Sequence, residues 1–138
     1  MTAKVPDGVS LNLPPFEDWF AEIADEIGAV QGLLAERISD NPVKATEQLG
    51  KVEAWGARFS TLLADANSHL NTAKYQKLMK KEQGLTDLDR EARMDHDVRT
   101  ERRIRDIVKG LCEAINVRLM YGMSTRKQAA GETSHHAS

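Results

Sequence analysis

The chain has 138 residues, a formal net charge of −2, 29% charged residues and only 5% aromatic residues. That length allows one domain of ordinary size or an elongated domain with a modest core, and the composition favours long exposed helices over a compact enzyme. A single cysteine, Cys112, excludes both a disulfide framework and a cysteine-based zinc site. Because the sequence has no signal peptide and no apolar run of about 18 residues, we expect a soluble, cytoplasmic protein without membrane contact.

The charge is distributed unevenly along the chain. Residues 1–65 contain 5 Lys or Arg against 11 Asp or Glu, a net −6, whereas residues 66–138 contain 14 against 10, a net +4. Such an asymmetry fits a chain whose two halves meet different partners, or meet each other across subunits. Simple variation along helix surfaces is the alternative interpretation.

The first predicted helix follows a segment rich in turn-forming residues. Residues 1–15 are expected to form a flexible N-terminal segment. Apolar residues then recur at a 3-4-3-4 spacing, which predicts a helix over residues 16–39. The seam of this helix consists of Phe20, Ile23, Ile27, Val30 and Leu34. Pro42 marks the break after it, because proline disfavours helical geometry in the preceding residue.

Two long helices are predicted next, over residues 43–82 and 87–127, with a turn at residues 83–86. No proline follows Pro42, so neither helix is interrupted. Apolar or small residues again follow a 3-4-3-4 spacing, which is typical of a narrow coiled-coil seam. In the first helix they are Leu49, Val52, Gly56, Phe59, Leu63, Ala66, Leu70 and Ala73, and in the second Ile104, Val108, Leu111 and Ile115.

These elements predict an all-α fold: an elongated, antiparallel, coiled-coil-like helical hairpin with the N-terminal helix packed at its base. Residues 16–127 form the single helical domain, and residues 128–138 are expected to be a disordered tail. Apolar residues left over at the base would be exposed in a single copy, so the pattern predicts a homo-oligomer. The expected interface residues are Phe59, Leu63, Ile107, Leu111, Ile115 and Leu119.

Support for catalysis is missing from the sequence. There is no Gly-rich phosphate loop, no HExxH motif and no Ser or Cys nucleophile in a recognisable setting. Asp95, His96 and Asp97 are consecutive, and consecutive helical residues point about 100° apart, so they cannot converge on one ion. We therefore expect a non-enzyme without cofactor or metal. Trp19, Trp55 and Cys112 lie at or beside seam positions and are interpreted as packing residues.

The residues that flank the predicted turn form a basic stretch, which is the candidate functional surface. Lysines and arginines beside an aromatic residue suit single-stranded nucleic acid, because the cations hold phosphates while a base stacks on the ring. The predicted DNA-binding residues are Lys74, Tyr75, Lys77, Lys80, Lys81, Arg90 and Arg93. A solvated, salt-bridged surface is the alternative, because the Asp and Glu residues between 87 and 101 can pair with the same arginines. Arg99, Arg102, Arg103 and Arg105 add further positive charge.

The C-terminal third resembles a known family. Residues 105–118, RDIVKGLCEAINVR, and residues 120–128, MYGMSTRKQ, resemble the C-terminal helix of the UvsY-type recombination mediators of tailed phages. That helix is long and apolar, with an Ala-Ile or Gly-Ile step, a nearby Arg and a basic, polar end. The chain length and the Lys-rich stretch before a Gly-containing turn are also similar, so that the resemblance covers about residues 50–128.

The resemblance implies an all-helical protein that forms a ring-like oligomer and binds single-stranded DNA. In that family the protein helps to load a RecA-like recombinase onto strands covered by single-strand-binding protein. By position, the DNA-contacting residues would be Lys77, Lys80 and Lys81, and Arg118 and Arg126 would match basic positions associated with assembly.

One departure from the family concerns the turn. The family has paired tyrosines and glycine there, whereas this chain has Met79-Lys80-Lys81-Glu82-Gln83-Gly84, which retains phosphate contact but not the aromatic pair. The competing functional hypothesis is a structural or adaptor coiled-coil protein, such as a phage virion assembly factor, that does not bind DNA. It requires only the apolar seams and none of the basic residues.

Overall fold

The structure, a computed structural model, describes residues 6–79 and 87–136, with side chains placed for 6–79, 88–89, 92–93 and 96–122. The elements of this part are α1 (Phe16–Ala35), α2 (Pro42–Met79), α3 (Asp87–Asp97) and α4 (Arg99–His136). The described residues contain no strand, which confirms the all-α class. Among these described helices, none combines the length and the apolar character that a membrane crossing requires.

Helices α2 and α4 are the antiparallel arms of a hairpin. At the base, the backbone of Gly122 lies against Leu49. Midway, the Cys112 thiol donates a hydrogen bond to the Phe59 carbonyl over 3.3 Å, and farther along Arg105 Nη1 donates to Asn67 Oδ1 over 3.4 Å. Each step forward along α2 is therefore matched by a step backward along α4, as the hairpin prediction requires.

Helix α1 lies antiparallel to α2 at the base of this hairpin. The Arg58 guanidinium donates to both carboxylate oxygens of Glu26, over 2.8 and 3.0 Å. This pair lowers the pKa of Glu26, first through the hydrogen bonds and then through the charge of Arg58. At the other end of α1, the rings of Phe16 and Trp19 contact His69. The predicted position of the N-terminal helix is confirmed.

The core lies where α1, α2 and α4 meet along the predicted seams. Its buried members are Trp19, Ile23, Ile27, Val30, Val52, Phe59, Leu62, Ala66, Ile104, Val108 and Ile115. Complete burial of a large apolar side chain contributes about 1.5–3 kcal/mol, so this cluster is the main source of stability. Trp55 packs beside the core with its ring centroid 5.9 Å from that of Phe59. Both tryptophans are therefore packing residues, as predicted.

The predicted first helix is too long at its C-terminal end. Helix α1 ends at Ala35, and the backbone of Glu36 is extended, with a ψ of 137°. The connector that follows is held by one side chain of α2. Gln48 Oε1 accepts a hydrogen bond from the Ser39 backbone N–H over 2.9 Å, and Gln48 Nε2 donates to the Arg37 carbonyl over 3.0 Å. These long-range hydrogen bonds replace the helical ones that residues 36–39 would otherwise make.

Helix α2 begins one residue earlier than predicted, at Pro42. Asn41 caps it, because its Oδ1 accepts hydrogen bonds from the Val43 and Lys44 backbone N–H groups over 2.9 and 3.3 Å. Proline suits the first helical position, where its missing N–H costs no hydrogen bond. The predicted end at residue 82 and the predicted turn at residues 83–86 lie outside the described residues.

The predicted third helix is divided in two, with Val98 in a turn between α3 and α4. The Val98 side chain is completely buried, and its carbonyl accepts the first helical hydrogen bond of α4 from Arg102 N–H over 3.0 Å. Helix α4 also continues through residues 128–136, where the sequence analysis places a disordered tail. Good helix formers such as Gln128, Ala129 and Ala130 and the absence of proline allow this extension.

The N-terminal segment is expected to be flexible, yet residues 6–15 are attached to α2. Val9 N–H donates to the Pro6 carbonyl over 3.2 Å, in a turn that contains Gly8 at a φ of 82°. Ser10 then exchanges two hydrogen bonds with Thr72: its N–H donates to Thr72 Oγ1 over 3.1 Å, and its carbonyl accepts from that hydroxyl over 3.2 Å. The remainder of the predicted flexible segment, residues 1–5, lies outside the described residues.

Candidate functional site

The candidate site lies on the distal half of the hairpin, which we define as α2 from residue 70, α3, and α4 up to residue 107. Of the predicted DNA-binding residues on α2, Lys74 and Tyr75 are half-buried and Lys77 is exposed. Lys77 Nζ lies 3.7 Å from Asp97 Oδ2. Its charge is thus partly neutralised within the hairpin, which is the alternative that the sequence analysis left open for this surface.

The other predicted DNA-binding residues are less fully described. Lys80 and Lys81 lie outside the described residues. Arg90 belongs to α3, but its side chain is outside the described part, whereas the Arg93 side chain is exposed to solvent. The structure therefore places Lys74, Tyr75 and Lys77 near the end of α2, and the DNA-binding assignment of all seven residues stays a prediction.

A second group of cations, Arg99, Arg102 and Arg103, occupies the first two turns of α4; we call it the arginine cluster. Together with Asp106 and Ile107 these arginines line a shallow depression on the helix surface. Their spacing places them on one side of the helix, because residues three and four apart are neighbours on a helical surface. The antiparallel register brings the cluster to the level of about residues 69–74 of α2.

The charges of Arg99 and Arg103 are available to an external anion. Both side chains are exposed, and within the described part of the chain neither makes a hydrogen bond or an ion pair. The nearest acid of the depression, Asp106, accepts a hydrogen bond from Arg105 Nε over 2.7 Å. Asn67 Oδ1 on α2 accepts a second hydrogen bond from the Arg105 guanidinium. Asp106 is therefore engaged by Arg105, although it lines the depression beside Arg99 and Arg103.

The sequence predicted no specific role for these arginines beyond additional positive charge. Their three-and-four spacing is visible in the sequence and could have identified them as one surface. What the sequence could not supply is the partner of each cation: among the described side chains, Lys77 lies beside the Asp97 carboxylate and Arg99 lies beside none.

Exposed apolar side chains also lie on the distal half. Leu78, Met79 and Leu88 are 53%, 61% and 76% exposed. Leu78 and Met79 end α2, and Leu88 lies in the first turn of α3. Single exposed apolar residues are ordinary on protein surfaces, but three in the same region make a surface suited to a protein or a base rather than to water alone.

The predicted oligomerisation residues lie in or against the core of a single copy, whereas they were expected at a subunit interface. Phe59 and Ile115 are at most 1% exposed and belong to the core of a single copy. Leu63, Ile107, Leu111 and Leu119 are half-buried and pack against that core. Arg118 Nη2 donates a hydrogen bond to the Glu36 carbonyl over 2.6 Å. Phe59 and Ile115 are thus unavailable to a second copy, because α1 and the opposite arm already cover the seams on which the prediction rested.

No comparison with known proteins assigns this site. No protein-family model, no curated protein and no solved structure matches the chain. Among the described residues, no group of three or more His, Cys, Asp or Glu side chains could hold a metal ion. The site is therefore characterised by its own geometry: a shallow depression on α4 lined by three arginines, Asp106 and Ile107.

Proposed function

We propose that this protein is an accessory protein of DNA recombination that holds single-stranded DNA against the distal half of its hairpin. The observation that supports this most directly is the arginine cluster, in which exposed Arg99 and Arg103 line the depression on α4 and have no hydrogen-bond or ion-pair partner in the part of the chain that the structure describes. The resemblance to the UvsY-type mediators points to the same activity. In this proposal the protein helps to load a RecA-like recombinase onto strands covered by single-strand-binding protein.

The chemistry of the cluster suits a phosphate backbone. Guanidinium groups donate two parallel hydrogen bonds to a phosphate and are more weakly hydrated than ammonium groups, so they bind phosphates well at a surface. Ile107, at the edge of the depression, offers an apolar contact to a sugar or base. Because base edges are not read by such a surface, we expect binding with little sequence preference.

The acidic face of α1 suits a different partner. Glu17, Asp18, Glu22 and Asp25 are exposed along the first half of α1, which packs beside the middle of α2 between His69 and Arg58. A negative surface repels the DNA backbone, so we place the recombinase or single-strand-binding protein there and the DNA on the distal half. This division follows the net charges of −6 and +4 in the two halves of the sequence.

The test is the anisotropy of a labelled oligo-dT with the wild-type protein and with Arg99→Gln/Arg103→Gln, at about 50 and 200 mM salt. Each phosphate contact to a single strand contributes about 0.7 to the slope of log affinity against log salt, so losing two contacts lowers the slope by about 1.4. Lys44→Gln/Lys51→Gln, which removes two exposed lysines from the base of α2, is the matched control and should leave the slope unchanged. Equal effects of the two double variants would refute the site.

The second candidate function is an adaptor that binds another helical protein. The observation that favours it is the exposed apolar group Leu78, Met79 and Leu88. Binding of a protein through these residues releases few counterions, whereas binding of DNA releases one for each phosphate contacted. Wild-type protein that fails to bind oligo-dT at either salt concentration would favour the adaptor.

A further inference from the structure

A cavity lies at the base of the molecule, between the α1–α2 connector, the first turns of α2 and the middle of α4. Its volume is about 240 Å³. Most of its wall is apolar and includes Ile38, Ala45, Leu49 and Val52. An apolar cavity of about 150 Å³ is large enough to hold benzene, so this one can hold a larger organic molecule.

The walls of this cavity are fixed by contacts within the chain. The side-chain amide of Gln48 holds the connector at Arg37 and Ser39, so both its donor and its acceptor are occupied by backbone groups. At the opposite wall, α4 approaches α2 closely at Gly122, where an added Cβ would lie 2.6 Å from Leu49 Cδ1. A preformed apolar space with few free polar groups is the usual form of a small-molecule site.

The edge of the cavity carries one partly buried cation, Arg118. Its Nη2 donates to the Glu36 carbonyl over 2.6 Å, which fixes the guanidinium. The other N–H donors of the group have no partner among the described residues. Such a fork matches the two oxygens of a carboxylate. Asp40, which is exposed at the same edge, disfavours a ligand with more than one negative charge.

We propose that this cavity binds a monocarboxylate with an apolar body, its carboxylate on Arg118 and its body between Ala45, Leu49 and Val52. At about 30 Å³ for a water-sized group, the cavity holds about eight such groups, which is the size of a medium-chain fatty acid or an aryl carboxylate. The inference is independent of DNA binding, because the cavity lies at the opposite end of the hairpin from the arginine cluster.

The experiment is isothermal titration of the full chain with octanoate and, separately, with 1-octanol, both below the concentration at which they aggregate. We expect octanoate to bind more tightly than octanol. Arg118→Gln should weaken octanoate binding by about tenfold, the value of a charge-assisted hydrogen bond, without weakening octanol binding. Ala45→Leu, which fills the cavity with a helix-favouring side chain, should weaken both ligands.

Lys109→Gln is the matched control, since it removes an exposed cation from α4 and should leave both affinities unchanged. Circular dichroism of each variant confirms that it is folded. If Arg118→Gln proves unfolded, Arg118→Lys replaces it, because lysine keeps the charge but not the fork. The proposal is overturned if octanoate does not bind the wild type, if Ala45→Leu binds it equally well, or if octanol binds as tightly as octanoate.

Discussion

The imidazole of His69 lies against the indole of Trp19, with 4.6 Å between the ring centroids and 33° between the ring planes. His69 is on α2 and Trp19 is in the first turn of α1, so this contact is where α1 docks on the hairpin. His69 is only 6% exposed, and its Nε2 is buried without a hydrogen-bond partner among the described residues. In the same described part, Glu101 Oε2 on α4 is also buried and has no hydrogen-bond partner. The His69 imidazole, which can take up a proton, is thus buried where α1 packs on α2.

We expect the protein to lose stability as the pH falls below about 6.5. Burial lowers the pKa of His69, while the charges of Asp65 and Glu101 oppose the shift. In the unfolded chain the imidazole takes up a proton near its ordinary pKa of 6.5, whereas in the folded chain it does so only at lower pH. Between those two values the free energy of unfolding falls with decreasing pH, by at most about 1.4 kcal/mol per pH unit for one group.

The measurement is urea denaturation between pH 5 and 8 of the wild type and of His69→Phe, which keeps an aromatic ring against Trp19. The difference between the two curves isolates His69 from the carboxylates that titrate in both proteins. His96→Gln is the control, because His96 is exposed on α3. Parallel curves for the wild type and His69→Phe would contradict the prediction.

The second prediction concerns the side chain at the centre of the core. Phe59→Ala should lower the free energy of unfolding by about 3–5 kcal/mol, because it removes a completely buried ring and leaves a cavity. The loss should be the same at all protein concentrations, since the partners of Phe59 lie in its own chain. A loss that grows on dilution would instead place Phe59 at a subunit interface. Leu11→Ala, at a side chain that is 59% exposed, should have little effect.

The hairpin and its core could be predicted from the sequence because both depend on local periodicity. The 3-4-3-4 spacing identified Val52, Phe59, Val108 and Ile115 as seam residues, and all four are buried. The interface prediction for Phe59 and Ile115 was wrong because periodicity shows that a seam is covered and not what covers it. The end of α1 was misplaced for a related reason: Gln48, distant in sequence, holds the connector at Ser39.

The third prediction compares two glycines of α4 that differ in their surroundings. An added Cβ at Gly110 would meet nothing within 4 Å, so Gly110→Ala should gain about 0.5–1 kcal/mol of stability from the lower backbone entropy of the unfolded chain. At Gly122 the same Cβ would lie 2.6 Å from Leu49 Cδ1, so that side chain must shift. Gly122→Ala should therefore gain less or lose stability. Thermal unfolding of both variants measures the difference, and equal gains would show that Leu49 moves without cost.

The candidate site was only partly predictable, because the availability of a positive charge to a DNA phosphate depends on the side chains that surround it in space. Lys77 and Arg99 both carry a positive charge in the distal half, yet of these two only Lys77 has a carboxylate within 4 Å among the side chains that the structure describes. The partner, Asp97, is on a different helix, and its approach depends on the hairpin register rather than on any sequence spacing. For Arg99 and Arg103 the helical spacing can be read from the sequence, but the lack of an ion-pair partner among the described residues cannot.

The ion pair between Lys77 and Asp97 supplies the last prediction. If the distal half binds single-stranded DNA, Asp97→Asn should strengthen binding, because it removes a negative charge from the surface and releases Lys77 for a phosphate. Lys77→Gln should weaken binding less than Arg99→Gln does, because the lysine is already shared with Asp97. Anisotropy with oligo-dT at low salt measures all three variants. The matched control is Asp25→Asn, which removes one exposed negative charge from α1 and should change the affinity little at physiological ionic strength. If Asp97→Asn bound DNA no better than Asp25→Asn, Lys77 would not be part of the DNA-binding surface.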